Sequence, residues 1–153
     1  MNDDKLDLET FLPYRLNRLA DAVSRAFAQT YRDRYGLTRP EWRTLATLGQ
    51  FGTVTATAIG AHSAMHKTKV SRAVAELERR MWLKRQADAG DRRVEHLTLT
   101  AAGRRAYREM VPIAKGFDAG LLQAMNLDDK SSALHIFERL EAALHIHRGS
   151  TSD

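Results

Sequence analysis

Positively charged side chains that could bind a polyanion are concentrated in the middle of the sequence. The chain has 24 basic and 19 acidic residues, of which 11 basic and five acidic residues lie between His62 and Arg105. This segment therefore carries a net charge of +6, whereas the rest of the chain carries −1. Because a solvated surface would scatter its charges along the chain, this concentration indicates a segment that binds a polyanion.

A helix predicted over residues 67–80 carries the side chains best suited to DNA contact. Val70, Val74 and Leu77 lie on one side of it, so the opposite side is expected to face outward. Arginine can form paired hydrogen bonds to guanine or phosphate, and lysines and small hydroxyl groups suit phosphates and base edges. The predicted DNA contacts of this helix are Lys67, Thr68, Lys69, Ser71 and Arg72.

A β-hairpin with a charged tip is predicted over residues 83–99. The tip contains Asp91, Arg92 and Arg93. The narrow minor groove of DNA has a negative potential that attracts arginine, so both arginines are predicted DNA contacts. Two short helices joined by a tight turn and followed by a basic hairpin predict a winged helix-turn-helix. The second helix of such a unit enters the major groove.

Long amphipathic helices are predicted on both sides of this unit. One covers residues 10–35, a second covers residues 100–125, and a third begins at Asp128. Their apolar stripes have little core to bury against, which favours pairing with a second chain in a symmetric homodimer. The stripes consist of Leu12, Leu16, Leu19 and Val23 near one end of the chain and Leu134, Phe137, Leu140 and Leu144 near the other.

The expected fold is therefore mainly α, a single compact domain with two functional regions. Residues 37–100 form the winged helix-turn-helix that binds double-stranded DNA. Residues 1–36 and 101–153 contribute the long terminal helices of a dimerisation region. Within the DNA-binding region, Gly49 and Gly52 are predicted to end the first short helix.

Several function classes have little support in the sequence. The absence of cysteine excludes disulfides, thiol redox chemistry and cysteine-ligated metals. His62 and His66 have a metal-like spacing, but a turn separates them, so His66 is expected to cap the following helix and no metal or other cofactor is expected. No nucleophile elbow or phosphate-binding glycine loop is present, so no catalytic residue and no enzyme activity are expected. With no long apolar run or signal peptide, the expectation is a cytoplasmic protein without a membrane partner.

Five motifs follow one another in a fixed order along the chain. They are Leu37-Thr-Arg-Pro-Glu-Trp-Arg43, Lys67-Thr-Lys-Val-Ser-Arg-Ala-Val74, Leu77-Glu-Arg-Arg80, Asp91-Arg-Arg93 and Leu97-Thr-Leu-Thr-Ala-Ala-Gly103. Together they resemble the bacterial MarR-type (multiple antibiotic resistance) transcriptional regulators, over about residues 10–147. The resemblance implies a homodimer on pseudo-palindromic DNA, usually a repressor that a small aromatic or phenolic ligand releases.

The resemblance also implies roles for individual residues of the hairpin. It implies that Arg93 enters the minor groove and that Asp91 holds the hairpin through an ion pair. One position departs from the family pattern, because Met81-Trp82 stands where Gly-Leu is usual. Glycine there would end the helix in the left-handed conformation, so Met81 must end it differently or be strained.

A ligand site is one interpretation of the aromatic residues near the start of the chain. Phe11, Tyr14 and Trp42 could line an aromatic pocket, and Arg15 or Arg18 could bind a ligand carboxylate. The other interpretation is an ordinary apolar core. Two further alternatives stay open at this point: a regulator without an effector, and an enzyme or small-molecule or RNA-binding protein that uses the basic segment for an anionic substrate.

Overall fold

The computed structural model describes residues 4–127 and 129–146. In this part of the chain, six helices and a two-stranded antiparallel sheet confirm a mainly α, winged-helix fold. The elements are α1 (Leu12–Tyr35), α2 (Arg39–Phe51), α3 (Ala56–Ser63), α4 (Lys67–Arg79), β1 (Leu83–Ala87), β2 (Glu95–Leu99), α5 (Ala101–Ala124) and α6 (Lys130–Ala143). None of the helices in the described ranges is long and apolar enough to cross a bilayer.

The described residues divide into two compact units, one ending at Arg39 and one beginning at Pro40. The first unit is dominated by α1. Pro13 lies in its first turn, where a missing N–H is tolerated. Gly36 ends it with a φ of 64°, and its N–H donates to the Arg32 carbonyl at 2.7 Å. The helix is therefore defined at both ends by residues that the sequence already shows.

The core of the second unit lies between the short helices and the hairpin. α3 packs against α4, α4 packs against β1, and β2 contacts both α3 and α5. Val54 and Leu97 add a short bridge, with reciprocal backbone hydrogen bonds of 3.0 and 2.8 Å. The large apolar residues buried in this unit include Leu45, Leu48, Ile59, Val70, Val74, Leu77, Leu83, Leu97, Leu99 and Met110.

Gly49 has a different role from the predicted one. α2 continues through Gly49 to Phe51, so the prediction that this glycine ends the helix is wrong. A Cβ at Gly49 would lie 2.4 Å from the ring of Tyr107 on α5, which is far closer than carbon atoms approach. The glycine therefore permits close packing of α2 against α5, and the chain turns at Gly52, where φ is 78°.

α5 is a continuous helix despite the proline and glycines within it. Thr100 caps it by accepting a hydrogen bond from the Gly103 N–H at 3.1 Å, and Pro112 lies inside it. α6 follows, capped by Asp129, whose carboxylate accepts from the Ser131 N–H at 2.8 Å. The predicted first residue of this helix, Asp128, lies outside the described residues, and none of the described residues of α6 is buried.

Candidate nucleic-acid interface

The exposed side of α4 is the first part of the candidate interface. Val70, Val74 and Leu77 are at most 2% exposed, because this side of the helix packs into the core of the second unit. The helical period then turns the other side outward. The predicted contacts on that side are all exposed: Lys67, Thr68, Lys69, Ser71 and Arg72.

His66 fixes the beginning of this helix. Its Nδ1 accepts a hydrogen bond from the Thr68 N–H at 3.3 Å, which confirms the predicted cap and requires that nitrogen to be unprotonated. His62 instead packs edge-on against the ring of Phe51. Among the described residues, no group of three or more histidine, aspartate and glutamate side chains is placed to hold a metal ion.

The hairpin tip, called the wing below (residues 88–94), is organised by Asp88. Its carboxylate accepts hydrogen bonds from the Gly90 and Asp91 N–H groups at 2.9 and 3.0 Å and lies 2.8 Å from His96 Nε2. The hydrogen bond with His96 lowers the pKa of Asp88 most, and the two backbone N–H groups lower it further, so this pKa lies below its usual range. The sequence indicates Asp88 as a turn residue, because an aspartate two residues before a glycine is a known turn signal, but it does not indicate the contact with His96.

Asp91 makes its ion pair with Arg93, two residues along the wing. Its Oδ1 lies 3.1 Å from Arg93 Nε and also accepts from the Arg93 N–H at 3.0 Å. The arginine side chain lowers the pKa of this aspartate most, and the backbone N–H adds to the effect. The Arg93 side chain is nevertheless 91% exposed, so its guanidinium is held in place while open to solvent.

A cleft of about 490 Å³ lies between α4 and the wing. It brings together three of the predicted DNA contacts: Ser71 from the helix and Arg92 and Arg93 from the wing. The lysines, Thr68 and Arg72 lie elsewhere on the exposed side of α4 and do not line this cleft. The rest of its lining comes from Thr55, Ala56, Thr57, Val74, Arg85, Val94, Glu95 and Leu97.

The ion pairs within the basic segment determine which basic side chains remain available to bind an anionic partner. Each of its five carboxylates has a basic partner within the segment: Glu76 with Arg79 and Arg80, Glu78 and Glu95 with Arg85, Asp88 with His96, and Asp91 with Arg93. Arg104 donates to the Leu99 carbonyl at 2.7 Å. Six cations make no ion pair or hydrogen bond with the described residues, and they are Lys67, Lys69, Arg72, Lys84, Arg92 and Arg105.

Glu76 holds the C-terminal turn of α4 through two arginines. Its carboxylate lies 2.6 Å from Arg79 and 3.0 Å from Arg80. The hydrogen bond from Arg79 is the largest cause that lowers the pKa of Glu76 from 4.5 to about 2. Arg80 also lies over the ring of Trp82, with its guanidinium carbon 5.3 Å from the ring centre. The C-terminal turn of α4 is therefore stabilised by ion pairs as well as by backbone hydrogen bonds.

Met81 takes the left-handed position that glycine usually occupies. Its φ is 63°, its N–H donates to the Glu78 carbonyl, and the Trp82 N–H donates to the Leu77 carbonyl, both at 2.9 Å. This pair of bonds is the Schellman motif that commonly ends helices at glycine. Of the two predicted possibilities, the helix thus ends in the usual way and Met81 carries the strain, with its side chain 74% exposed.

The predicted ligand residues fall into both units. Tyr14, Arg15 and Arg18 lie on α1, where the Arg18 guanidinium is 5.7 Å from the ring centre of Tyr14. Arg15 and Arg18 also line an open groove along α1, with apolar walls formed by Leu12, Leu16 and Leu19. Trp42 lies on α2 in the second unit and is partly buried. A pocket formed by all four residues stays a prediction.

Comparison with known proteins gives a family match for the middle of the chain. The model of the MarR family matches residues 35–94. A search of curated proteins finds no significant match. Many solved structures are similar to this chain, and three of them cover a range of sequence identities.

A MarR family transcriptional regulator from Silicibacter pomeroyi DSS-3 is 28% identical, with a TM-score of 0.74 over 89% of this chain and 99% of that one. A MarR/EmrR family regulator from Acinetobacter sp. ADP1 is 20% identical, with a TM-score of 0.81 over 92% and 99%. BpsR from Bordetella bronchiseptica, whose DNA binding is regulated by 6-hydroxynicotinic acid, is 24% identical, with a TM-score of 0.75 over 85% and 98%.

Proposed function

We propose, from the premise that the chain is a MarR-family, DNA-binding transcriptional regulator, that it is a homodimeric repressor of a pseudo-palindromic operator. The observation that carries this proposal is the set of cations without partners on the exposed side of α4 and on the wing. Cations that the protein does not neutralise itself are available to phosphates, and their binding releases counterions from DNA. The proposed site of action is the bacterial cytoplasm, where chromosomal DNA lies.

In the proposed complex, α4 lies in the major groove and each wing lies over a flanking minor groove. Arg72 contacts base edges, because it is exposed in the middle of the helix side opposite the core. Lys67 and Lys69 neutralise phosphates near the beginning of the helix. Arg92 and Arg93 face the minor groove, with Asp91 holding the second of them.

Homodimer formation is supported by apolar side chains that the single chain leaves uncovered. Leu12 and Leu19 on α1 are 67% and 62% exposed, and Phe137 and Leu144 near the other end of the chain are 51% and 62% exposed. Monomeric proteins rarely expose so many large apolar residues on neighbouring turns. A two-fold arrangement of the dimer would also place two copies of α4 on two half-sites of a palindrome.

The proposed effector is a small aromatic carboxylate that lowers the affinity for DNA. Its proposed site includes Tyr14, Arg15, Arg18 and Trp42, since arginine beside an aromatic ring suits both parts of such a molecule. BpsR, a structural neighbour, is regulated by 6-hydroxynicotinic acid, which belongs to this chemical class. That neighbour supports the class of ligand and not a particular compound.

Calorimetry against benzoates, cinnamates and 6-hydroxynicotinate tests the effector. We expect Trp42→Ala and Arg18→Ala to weaken binding of the best compound at least about tenfold, the loss expected for a charged or aromatic contact. Arg34→Ala is the control, because Arg34 is also an arginine of α1 beside an aromatic ring, 5.6 Å from the ring centre of Tyr35, and does not line the groove. Binding that both test variants leave unchanged would place the site elsewhere.

Selection of bound duplexes from random DNA, followed by salt titration, tests the DNA-binding proposal. A regulator should select an inverted repeat and lose affinity steeply as salt concentration rises. Binding to RNA or DNA without sequence preference would contradict the proposal. It would favour an enzyme or binding protein that uses the basic segment for an anionic substrate.

A further inference from the structure

Arg85 lies on the side of the hairpin that packs against the core. In the antiparallel register it is opposite Leu97, and the neighbouring pair on the same side is Leu83 with Leu99. Those three leucines are at most 3% exposed. Because alternate residues of a strand share a side, Arg85 continues the leucine side of the hairpin, and its side chain, 36% exposed, lies at the edge of the core. An arginine in this place must extend to a polar partner at the edge of the core.

The guanidinium of Arg85 finds two carboxylates, each on a different element. Its Nε donates to Glu78 on the last turns of α4, and its Nη1 donates to Glu95 at the beginning of β2, both at 3.0 Å. One side chain of β1 thus connects α4, the proposed recognition helix, to β2, the strand that follows the wing. A guanidinium has donors in a rigid fork and can hold two carboxylates at once, which a single ammonium group does less well.

Arg85 also acts on the charge of the candidate interface. Glu95 lines the cleft together with Arg92 and Arg93. An unpaired carboxylate at this position would repel the phosphates that the wing arginines approach. With Arg85 in place, one guanidinium offsets part of the negative charge of Glu78 and Glu95, and Arg92 on the wing keeps no partner among the described residues.

We propose that Arg85 is a positioning residue that fixes the wing relative to the recognition helix and thereby determines how well Arg93 reaches DNA. This inference rests on the proposed function for its effect on DNA. Its structural part, the fixed distance between helix and wing, does not depend on DNA. The two parts can therefore be tested separately.

Spin labels measure the position of the wing without DNA. The chain has no cysteine, so Ala75→Cys on α4 and Ala89→Cys on the wing place two labels at exposed positions. Labelled protein diluted with unlabelled chain reports distances within one chain. We expect a narrow distribution that Arg85→Gln broadens. Arg79→Gln is the matched control, because Arg79 pairs with Glu76 inside α4 and should leave the distribution narrow.

A double-mutant cycle measures the consequence for binding. We expect Arg93→Ala to lower affinity for the selected operator about tenfold in the otherwise unchanged protein. In the Arg85→Gln background the same change should cost less than about twofold, because the wing no longer holds Arg93 at the groove. Arg85→Lys should behave like Arg85→Gln, since charge alone does not replace the two-carboxylate bridge.

A third variant separates the effect of Arg85 on the position of the wing from its effect on the local charge. Glu78→Gln and Glu95→Gln added to Arg85→Gln remove all three charges together. If this triple variant restores the full effect of Arg93→Ala, Arg85 acts only by neutralising charge and the proposal is wrong. An unchanged label distribution in Arg85→Gln would also overturn it. Absence of any preferred duplex for the wild-type chain would instead contradict the proposed function, and the label distances would still decide the role of Arg85.

Discussion

Arg72 and Arg93 are both exposed arginines of the basic segment, but the protein holds them differently. Arg72 has no ion pair or hydrogen bond among the described residues, whereas Arg93 is paired with Asp91. We expect Arg72→Ala to weaken binding to the best operator far more than to random DNA, because a bidentate base contact provides roughly 1–3 kcal/mol of discrimination. Arg93→Ala should weaken binding to the operator and to random DNA alike.

Binding of both variants to operator and random duplexes at several salt concentrations tests these roles. If Arg93 contacts a phosphate, its loss should reduce the slope of log affinity against log salt by about one per chain. If it senses groove width instead, the loss should be greatest on an A·T-rich flank. Equal losses on both duplexes for Arg72→Ala, with unchanged circular dichroism, would refute its assignment to base edges.

Met81 provides a stability prediction that does not involve DNA. A left-handed conformation costs a residue with a side chain about 1–2 kcal/mol, and glycine in the unfolded chain offsets part of that gain. Met81→Gly should therefore raise the free energy of unfolding by about 0.5–1 kcal/mol in urea denaturation, since its exposed side chain loses little packing. Ala75→Gly, an exposed position inside α4, should lower it by about 1 kcal/mol. If Met81→Gly lowered the free energy of unfolding as Ala75→Gly does, this account of the helix end would be contradicted.

At the scale of elements, two glycines of α5 predict opposite effects of the same substitution. A Cβ at Gly103 would lie 2.1 Å from the carbonyl oxygen of Trp82, whereas at Gly116 it would meet no described atom within 4 Å. Gly103→Ala should lower the free energy of unfolding by at least about 2 kcal/mol, because the backbone at Trp82 or at Gly103 must move to make room for the added methyl group. Gly116→Ala should raise it by about 0.5–1 kcal/mol through helix propensity. Thermal and urea unfolding of both variants measure the difference, and similar values would rule out the close approach of α5 to Trp82.

The end of α4 is predicted to depend on pH through Glu76. Its pKa in the folded chain is lowered to about 2, so the protonated form is favoured more in the unfolded state. The stability that its ion pairs add is then complete above pH about 4.5 and is lost as the pH falls toward 2. The carbon chemical shift of the Glu76 carboxyl group should titrate near the lower value, and Arg79→Ala should raise the midpoint. A midpoint that Arg79→Ala leaves unchanged would show that this pair does not set the pKa.

At the scale of the whole molecule, the exposed apolar residues predict a dimer. Light scattering should give about twice the chain mass of 17.3 kDa. Phe137→Asp should produce monomers and weaken operator binding, because a charge within an apolar interface lacks a partner. Ser132→Asp adds the same charge at an exposed polar position of α6 and should leave the dimer intact. A monomer with undiminished operator affinity would contradict both the dimer and its role.

Much of the fold could be predicted from short stretches of sequence. The ends of α1 at Pro13 and Gly36, the cap at Thr100 and the inward side of α4 all follow from residues within one or two helical turns. Local hydrogen bonds and the helical period do not need distant partners. The side chains of the candidate interface were predicted for the same reason, since exposure on α4 follows from which residues are buried opposite them.

Contacts between distant parts of the chain were not predictable in this way. Gly49 has the sequence signature of a helix end, but its function depends on the Tyr107 ring on another helix. Arg85 counts as one more positive charge in the sequence, yet two carboxylates on other elements neutralise it. Composition therefore gave the correct net charge of the basic segment without showing which cations are available to DNA.

By itself, then, the sequence determined the order of the elements, the helix that presents its side chains outward and the excess of positive charge, because each depends on neighbouring residues. Only the tertiary structure decided which charges cancel, why a glycine lies inside α2, and that Met81 accepts a left-handed backbone. These outcomes depend on which atoms meet in space. Residues far apart in sequence meet there only after the helices have packed against the hairpin.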